Sequence, residues 1–101
     1  MMNPYELPEE TKLIQLAEEA AELSHAALKL VRAINGDTPV TEAEARQRVL
    51  EEIADCIVCG SLLIGEPEKL AIEVIMEQKM KRWEERLEQA TKDDGGISGD
   101  C

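Results

Sequence analysis

The sequence predicts an all-α domain of three main helices per chain, an antiparallel bundle completed by dimerisation. Three observations carry this expectation. Apolar residues recur at a period near 3.6 along two long segments, turn-forming Gly and Pro residues fall between the periodic segments, and no stretch shows the alternation of a β-strand. With 101 residues the chain is one domain by length, and its hydrophobic content of 44% makes a core small enough for association to help close it.

The first helix is expected over residues 8 to 34. Pro8 followed by Glu9 and Glu10 has the character of a first helical turn, and Leu13, Leu16, Ala17, Ala20, Leu23, Ala27, Leu30, Val31 and Ile34 keep the period until Asn35-Gly36 stops it. Asp37-Thr38-Pro39 continues the loop. Thr41 and Glu44 then form a T-x-x-E capping box that opens a second helix through Val49, Ile53, Ile57 and Leu63, ending near Gly65. Pro67 at a first-turn position, flanked by Glu66 and Glu68 at the positive helix end, starts a third helix through Leu70, Val74, Met80 and Leu87. The folded domain is thus read as residues 1–92, and the tail 93–101, rich in Gly and Asp, as disordered.

Charge and cysteine usage narrow the function classes. Twenty-two acidic against 11 basic residues give a formal net charge of −11, which provides no general footprint for nucleic acid or an anionic membrane. The N-terminal MMNPYELPEE has no basic, then apolar, leader pattern, and no run approaches a membrane span, so a cytoplasmic location is expected. Cys56 and Cys59 form a C-x-x-C in mid-helix among apolar residues, which favours packing over redox chemistry. A zinc site would need further Cys or His ligands beside this pair, and one chain offers only His25 and Cys101.

Chemistry enters through the acids. Helix one carries Glu18, Glu19 and Glu22; helix two carries Glu51, Glu52 and Asp55. Residues three or four apart share a helix face, so Glu19 projects with Glu22 and Glu52 with Asp55. Each pair borders apolar positions: Glu19 lies between Leu16 and Leu23 at helical spacing, Glu52 between Val49 and Cys56, and Asp55 beside Val58 and Cys59. These carboxylates are therefore expected to face inward or into a groove, and antiparallel helices joined by a short loop bring the pairs together. Two like charges 4 Å apart repel by about 4 kcal/mol at an effective dielectric near 20, whereas a divalent cation reverses the sign. An all-carboxylate set suits Mg²⁺ or Mn²⁺.

The order E-E-x-x-E then E-x-x-D, here Glu18, Glu19, Glu22, Glu52 and Asp55, resembles the signature of the MazG-type all-α nucleoside triphosphate pyrophosphohydrolases. The resemblance extends over about residues 10 to 90 and includes KMKRWEERL at 79 to 87, similar to the basic end of that family's third helix. It implies a Mg²⁺-dependent enzyme, with Mn²⁺ a possible substitute, that splits a nucleoside triphosphate into monophosphate and pyrophosphate. By the same resemblance Glu19, Glu22, Glu52 and Asp55 are metal ligands, Glu18 orients or deprotonates the attacking water, and the chain pairs as a dimer or tetramer.

Basic residues form a second constellation. Lys29 and Arg32 on helix one are candidate phosphate contacts, as are Lys79, Arg82 and Arg86 on helix three; cations there also complement the negative helix end. Trp83 is a candidate stacking surface for a base, or a residue packed at a subunit interface. Two rival readings stand beside the hydrolase. Glu22-x-x-His25 has the spacing used by di-iron and di-manganese carboxylate bundles, but this leaves Glu52 and Asp55 unexplained. An acidic helical dimer acting only as an interaction module gains nothing evident from a charge such as Asp55.

Overall fold

The computed structural model describes residues 3–92, which form a short 3-10 turn, Pro4–Glu6, and three helices: α1 Glu9–Ile34, α2 Glu42–Ser61 and α3 Glu66–Lys92. The described residues contain no strand. The expected disordered tail 93–101 lies outside the described residues. The chain divides into two compact units, Met1–Ile64 and Gly65–Cys101.

The first unit is an α1–α2 hairpin. Its N-terminal turn is closed by Asn3, whose side chain accepts from the Tyr5 N–H while Glu6 reaches back to the Asn3 N–H, and the Lys12 ammonium donates to the Tyr5 carbonyl at 2.7 Å. Pro8 stands just before α1 rather than inside its first turn. At the other end Gly36 takes a left-handed φ of +74°. The Gly36 N–H then reaches the Ala33 carbonyl at 3.1 Å and the Asp37 N–H the Arg32 carbonyl at 2.8 Å, a Schellman cap that satisfies the last carbonyls of α1. Thr41 caps α2 by accepting from the Glu44 N–H at 3.1 Å, the first half of the expected capping box.

The two helices meet along a seam with alternating steps of three and four residues. On α1 it comprises Leu16, Glu19, Leu23, Ala26, Leu30 and Ala33; on α2, Ala45, Val49, Glu52, Cys56 and Cys59, all buried or half-buried. This is the heptad pattern of a two-helix coiled coil. Ala26 and Ala45, 5% and 2% exposed, are the small residues that let the backbones approach. The remaining apolar residues of the expected α1 stripe, including Leu13, Val31 and Ile34, lie outside the seam and are exposed, as are Leu50, Ile53, Ile57 and Val58 on α2.

Helix α2 ends at Ser61, four residues before the Gly65 expected from sequence. After Gly60 the chain tightens into i→i+3 bonds, Leu62 N–H to Cys59 O at 3.3 Å and Leu63 N–H to Gly60 O at 3.0 Å, which cannot propagate the α-helix. Gly65 then opens α3, its N–H donating to the Glu68 carboxylate at 3.1 Å and its carbonyl accepting from Lys69. In α3 no residue is fully buried; Leu70, Val74, Ile75, Met76 and Met80 are exposed, while Trp83, Arg86, Leu87 and Ala90 are half-buried.

The interhelical turn yields a direct test. A Cβ at Gly36 meets nothing within 4 Å, so Gly36→Ala tests only the left-handed backbone and should lower stability by about 1 kcal/mol in urea melts. A variant as stable as the parent means that the cap is not formed as described.

Candidate metal centre

Two of the seam positions carry glutamates. Glu19 and Glu52 occupy places where a coiled coil puts apolar side chains, Glu19 half-buried and Glu52 only 1% exposed. Glu22, one turn beyond Glu19 and exposed, joins them: one carboxylate oxygen from each of the three lies within 4.8 Å of the others. The antiparallel hairpin brings this about, because α1 and α2 run past each other from the turn at Gly36, and Glu19 and Glu22 come level with Glu52.

The two seam glutamates are held alike. Four residues before Glu19, the Gln15 side-chain amide donates to Glu19 Oε1 at 3.1 Å. Four residues before Glu52, Arg48 Nη2 donates to Glu52 Oε1 at 2.7 Å, while its Nη1 lies 3.5 Å from Glu51. In both glutamates the other oxygen, Oε2, is buried and has no partner. A buried acceptor without a donor is a destabilising feature. Here it occurs twice, on opposite helices, in a cluster of carboxylates.

Burial pushes the Glu52 carboxyl above its ordinary value; Arg48 opposes that shift, and the charges of Glu22, Asp55 and Glu19 add to it. Burial likewise raises the Cys56 and Cys59 thiols, with Glu19 the leading charge contribution to each. A C-x-x-C whose thiols are held protonated lacks the thiolate that redox exchange needs, in line with the packing role expected from sequence.

Beside the cluster the hairpin forms an open groove of about 680 Å³. Lys29, Arg32 and Arg48 bring positive charge to its wall, Glu22 and Glu44 negative charge, and His25, Ala26, Leu28, Val40 and Ala45 complete it. The carboxylate cluster and a partly basic groove thus share Glu22. The donor set is all oxygen and anionic, with two buried oxygens lacking any donor, and such chemistry suits a hard divalent cation of the Mg²⁺ or Mn²⁺ type.

Of the residues singled out from sequence, Glu19, Glu22 and Glu52 come together, and Lys29 and Arg32 line the adjoining groove. Glu18 is exposed and outside the cluster. Asp55, expected to face inward or into a groove, is exposed and outside the cluster, as Ile53, Ile57 and Val58 around it are exposed. The buried acid of that stretch is Glu52. Arg48 pairs with Glu52 and Glu51, not with Asp55. His25 lines the groove but stands outside the cluster. Lys79, Arg82, Trp83 and Arg86 belong to α3 in the second unit, where Lys79 and Arg82 are exposed and the indole N–H of Trp83 is buried without a partner. Sequence reasoning missed Gln15 and Arg48 as orienting groups; their only signal is a spacing of four residues to a seam glutamate.

The raised carboxyl of Glu52 fixes the sign of a pH effect. Between the usual glutamate value of 4.5 and its own higher one, the folded chain binds more protons at this site than the unfolded chain, so its contribution to stability falls as pH rises through that window. Glu52→Gln removes the charge and supplies an N–H donor within the cluster. In metal-free buffer the variant should melt a few degrees above the parent at pH 7.5, with the difference shrinking toward pH 4.5. Exposed Asp55→Asn should alter stability by less than about 0.5 kcal/mol. A Glu52→Gln protein that melts below the parent at pH 7.5 contradicts the described cluster.

Neither the protein-family models, nor the curated proteins, nor the solved structures give a match to this chain.

Proposed function

We propose that the chain is a divalent-cation-dependent nucleoside triphosphate pyrophosphohydrolase of the MazG-type all-α kind, adding water across the α–β phosphoanhydride to release monophosphate and pyrophosphate. The observation that carries this reading is the pair of buried, unpartnered carboxylate oxygens on Glu19 and Glu52, converging with Glu22 beside a groove with basic walls. An interaction module has no use for two such oxygens in its own seam. A protein of net charge −11 that acts on a polyphosphate needs local relief from its own charge, and this site has the means for it.

In this reading Glu19, Glu22 and Glu52 would hold Mg²⁺ or Mn²⁺, which would supply charge neutralisation for phosphate oxygens and activation of water. Lys29 and Arg32 offer cationic donors to the remaining phosphate oxygens. Glu18 and Asp55, both exposed and close in sequence to the cluster, are the acids left to orient the attacking water or extend the ligand set. The exposed apolar residues of the hairpin, Leu13, Ile14, Leu28, Val31, Ile53 and Ile57 among them, support assembly as a homodimer or tetramer.

Pyrophosphate release from a panel of canonical and modified nucleoside triphosphates should depend on Mg²⁺ or Mn²⁺ and vanish in EDTA. Glu19→Gln and Glu22→Gln should each lower turnover by about 100-fold or more. Full activity in excess chelator, or wild-type turnover in both variants, rules out the mechanism. Light scattering at micromolar concentration should give at least a dimer; a monomer there overturns the assembly.

A further inference from the structure

Gln15 and Arg48 hold the two seam glutamates from equivalent positions, yet only Arg48 is charged. Gln15 donates to Glu19 Oε1 and adds nothing to the charge of the site. Arg48 contacts Glu52 Oε1 at 2.7 Å and is the positive charge paired with that buried carboxylate. Arg48 holds Oε1 while Oε2 is bare, so a divalent cation at the cluster would share the Glu52 carboxylate with Arg48 and meet it as a like charge. The Arg48 side chain is also 58% exposed, and it forms part of the groove wall with Lys29 and Arg32. A guanidinium that has lost its carboxylate finds in a phosphate the other ligand to which its planar fork is matched.

Resting on the reading above, we propose that Arg48 is the internal counter-ion of the carboxylate cluster, which gives up Glu52 to a divalent cation and then serves as a phosphate ligand in the groove. The exchange makes cation binding and polyphosphate binding mutually supportive beyond any direct contact between the two ligands. Linkage requires that it act equally in both directions. It also disfavours polyphosphate in the metal-free site, where Arg48 is engaged and the carboxylates repel an anion.

Arg48→Gln is the informative variant, because it copies onto Glu52 the Gln15–Glu19 arrangement: the donor four residues earlier remains and the charge goes. Calorimetry at pH 8 with Mn²⁺ alone, and then with inorganic pyrophosphate added to the Mn²⁺-saturated protein, reads the two roles separately. Arg48→Gln should bind Mn²⁺ several-fold more tightly than wild type and bind pyrophosphate about tenfold more weakly, the loss expected for one charge-assisted contact. Arg48→Lys should fall between the two proteins in both titrations. Gln15→Met, which removes an orienting donor without changing charge, should weaken Mn²⁺ binding, opposite in sign to Arg48→Gln. If Arg48→Gln weakens Mn²⁺ binding, Arg48 is only an orienting group; if its pyrophosphate affinity equals that of wild type, Arg48 is not a phosphate ligand; either result overturns the proposal while leaving the metal site standing. Absence of Mn²⁺ binding by the wild-type protein overturns the proposal together with the reading on which it rests.

Discussion

Two carboxylates in the seam of a helical hairpin are the constraint around which the first unit is arranged. Glu19 and Glu52 take heptad positions that an ordinary coiled coil gives to Leu, Ile or Val. The seam accommodates them by flanking each with ordinary packing, Leu16 and Leu23 on one helix, Val49 and Cys56 on the other, and by narrowing at Ala26 and Ala45 nearer the turn. Fixing the turn through the Gly36 cap sets the register, and the register decides whether the two acids come level or miss each other. The chemistry of the site therefore depends on backbone detail many residues away from it.

Within the cluster one oxygen of each seam acid is tethered and the other is left bare. Tethering limits rotation of each carboxylate and so aims its free oxygen before any ligand is bound. A fully satisfied cluster gives stability and no affinity. An untethered one repels itself apart, as Glu22, at the exposed edge of the group, is free to do. The arrangement lies between these limits, and its two tethers differ in charge, so the helices contribute unequally to the local electrostatics although their geometry is alike.

The three helices were legible because their signals are local: the period of the apolar residues, Thr41 before α2, Asn35-Gly36 after α1 and Pro67 in the first turn of α3. The end of α2 was less so, since nothing local distinguishes Leu62 and Leu63 from further helix. Glu19 and Glu52 could be placed because each lies between apolar residues three and four away, the spacing that shares a face. Asp55 was placed by Val58 and Cys59, three and four residues on; Cys59 lies in the seam but Val58 is 59% exposed, and Asp55 is exposed with Val58 at the edge of that face. Gln15 and Arg48 were not legible as tethers, because a polar residue four positions from an acid is commonplace on any solvated helix.

Placing acids in the seam also bears on how the hairpin is stabilised. The Glu52 carboxyl, raised by burial and by its acidic neighbours, weakens the folded state at neutral pH, and the seam offers few large apolar residues to offset it. A cation that binds only the folded arrangement returns that stability in proportion to its occupancy, by about 2.7 kcal/mol when its concentration is a hundred times its dissociation constant. The unfolded chain does not hold Glu19 and Glu52 together, so it would not compete for such an ion as the folded arrangement would. On this account folding, cation binding and release of Arg48 are one linked equilibrium. The charge that makes the hairpin less stable is the same charge on which the proposed cation affinity rests.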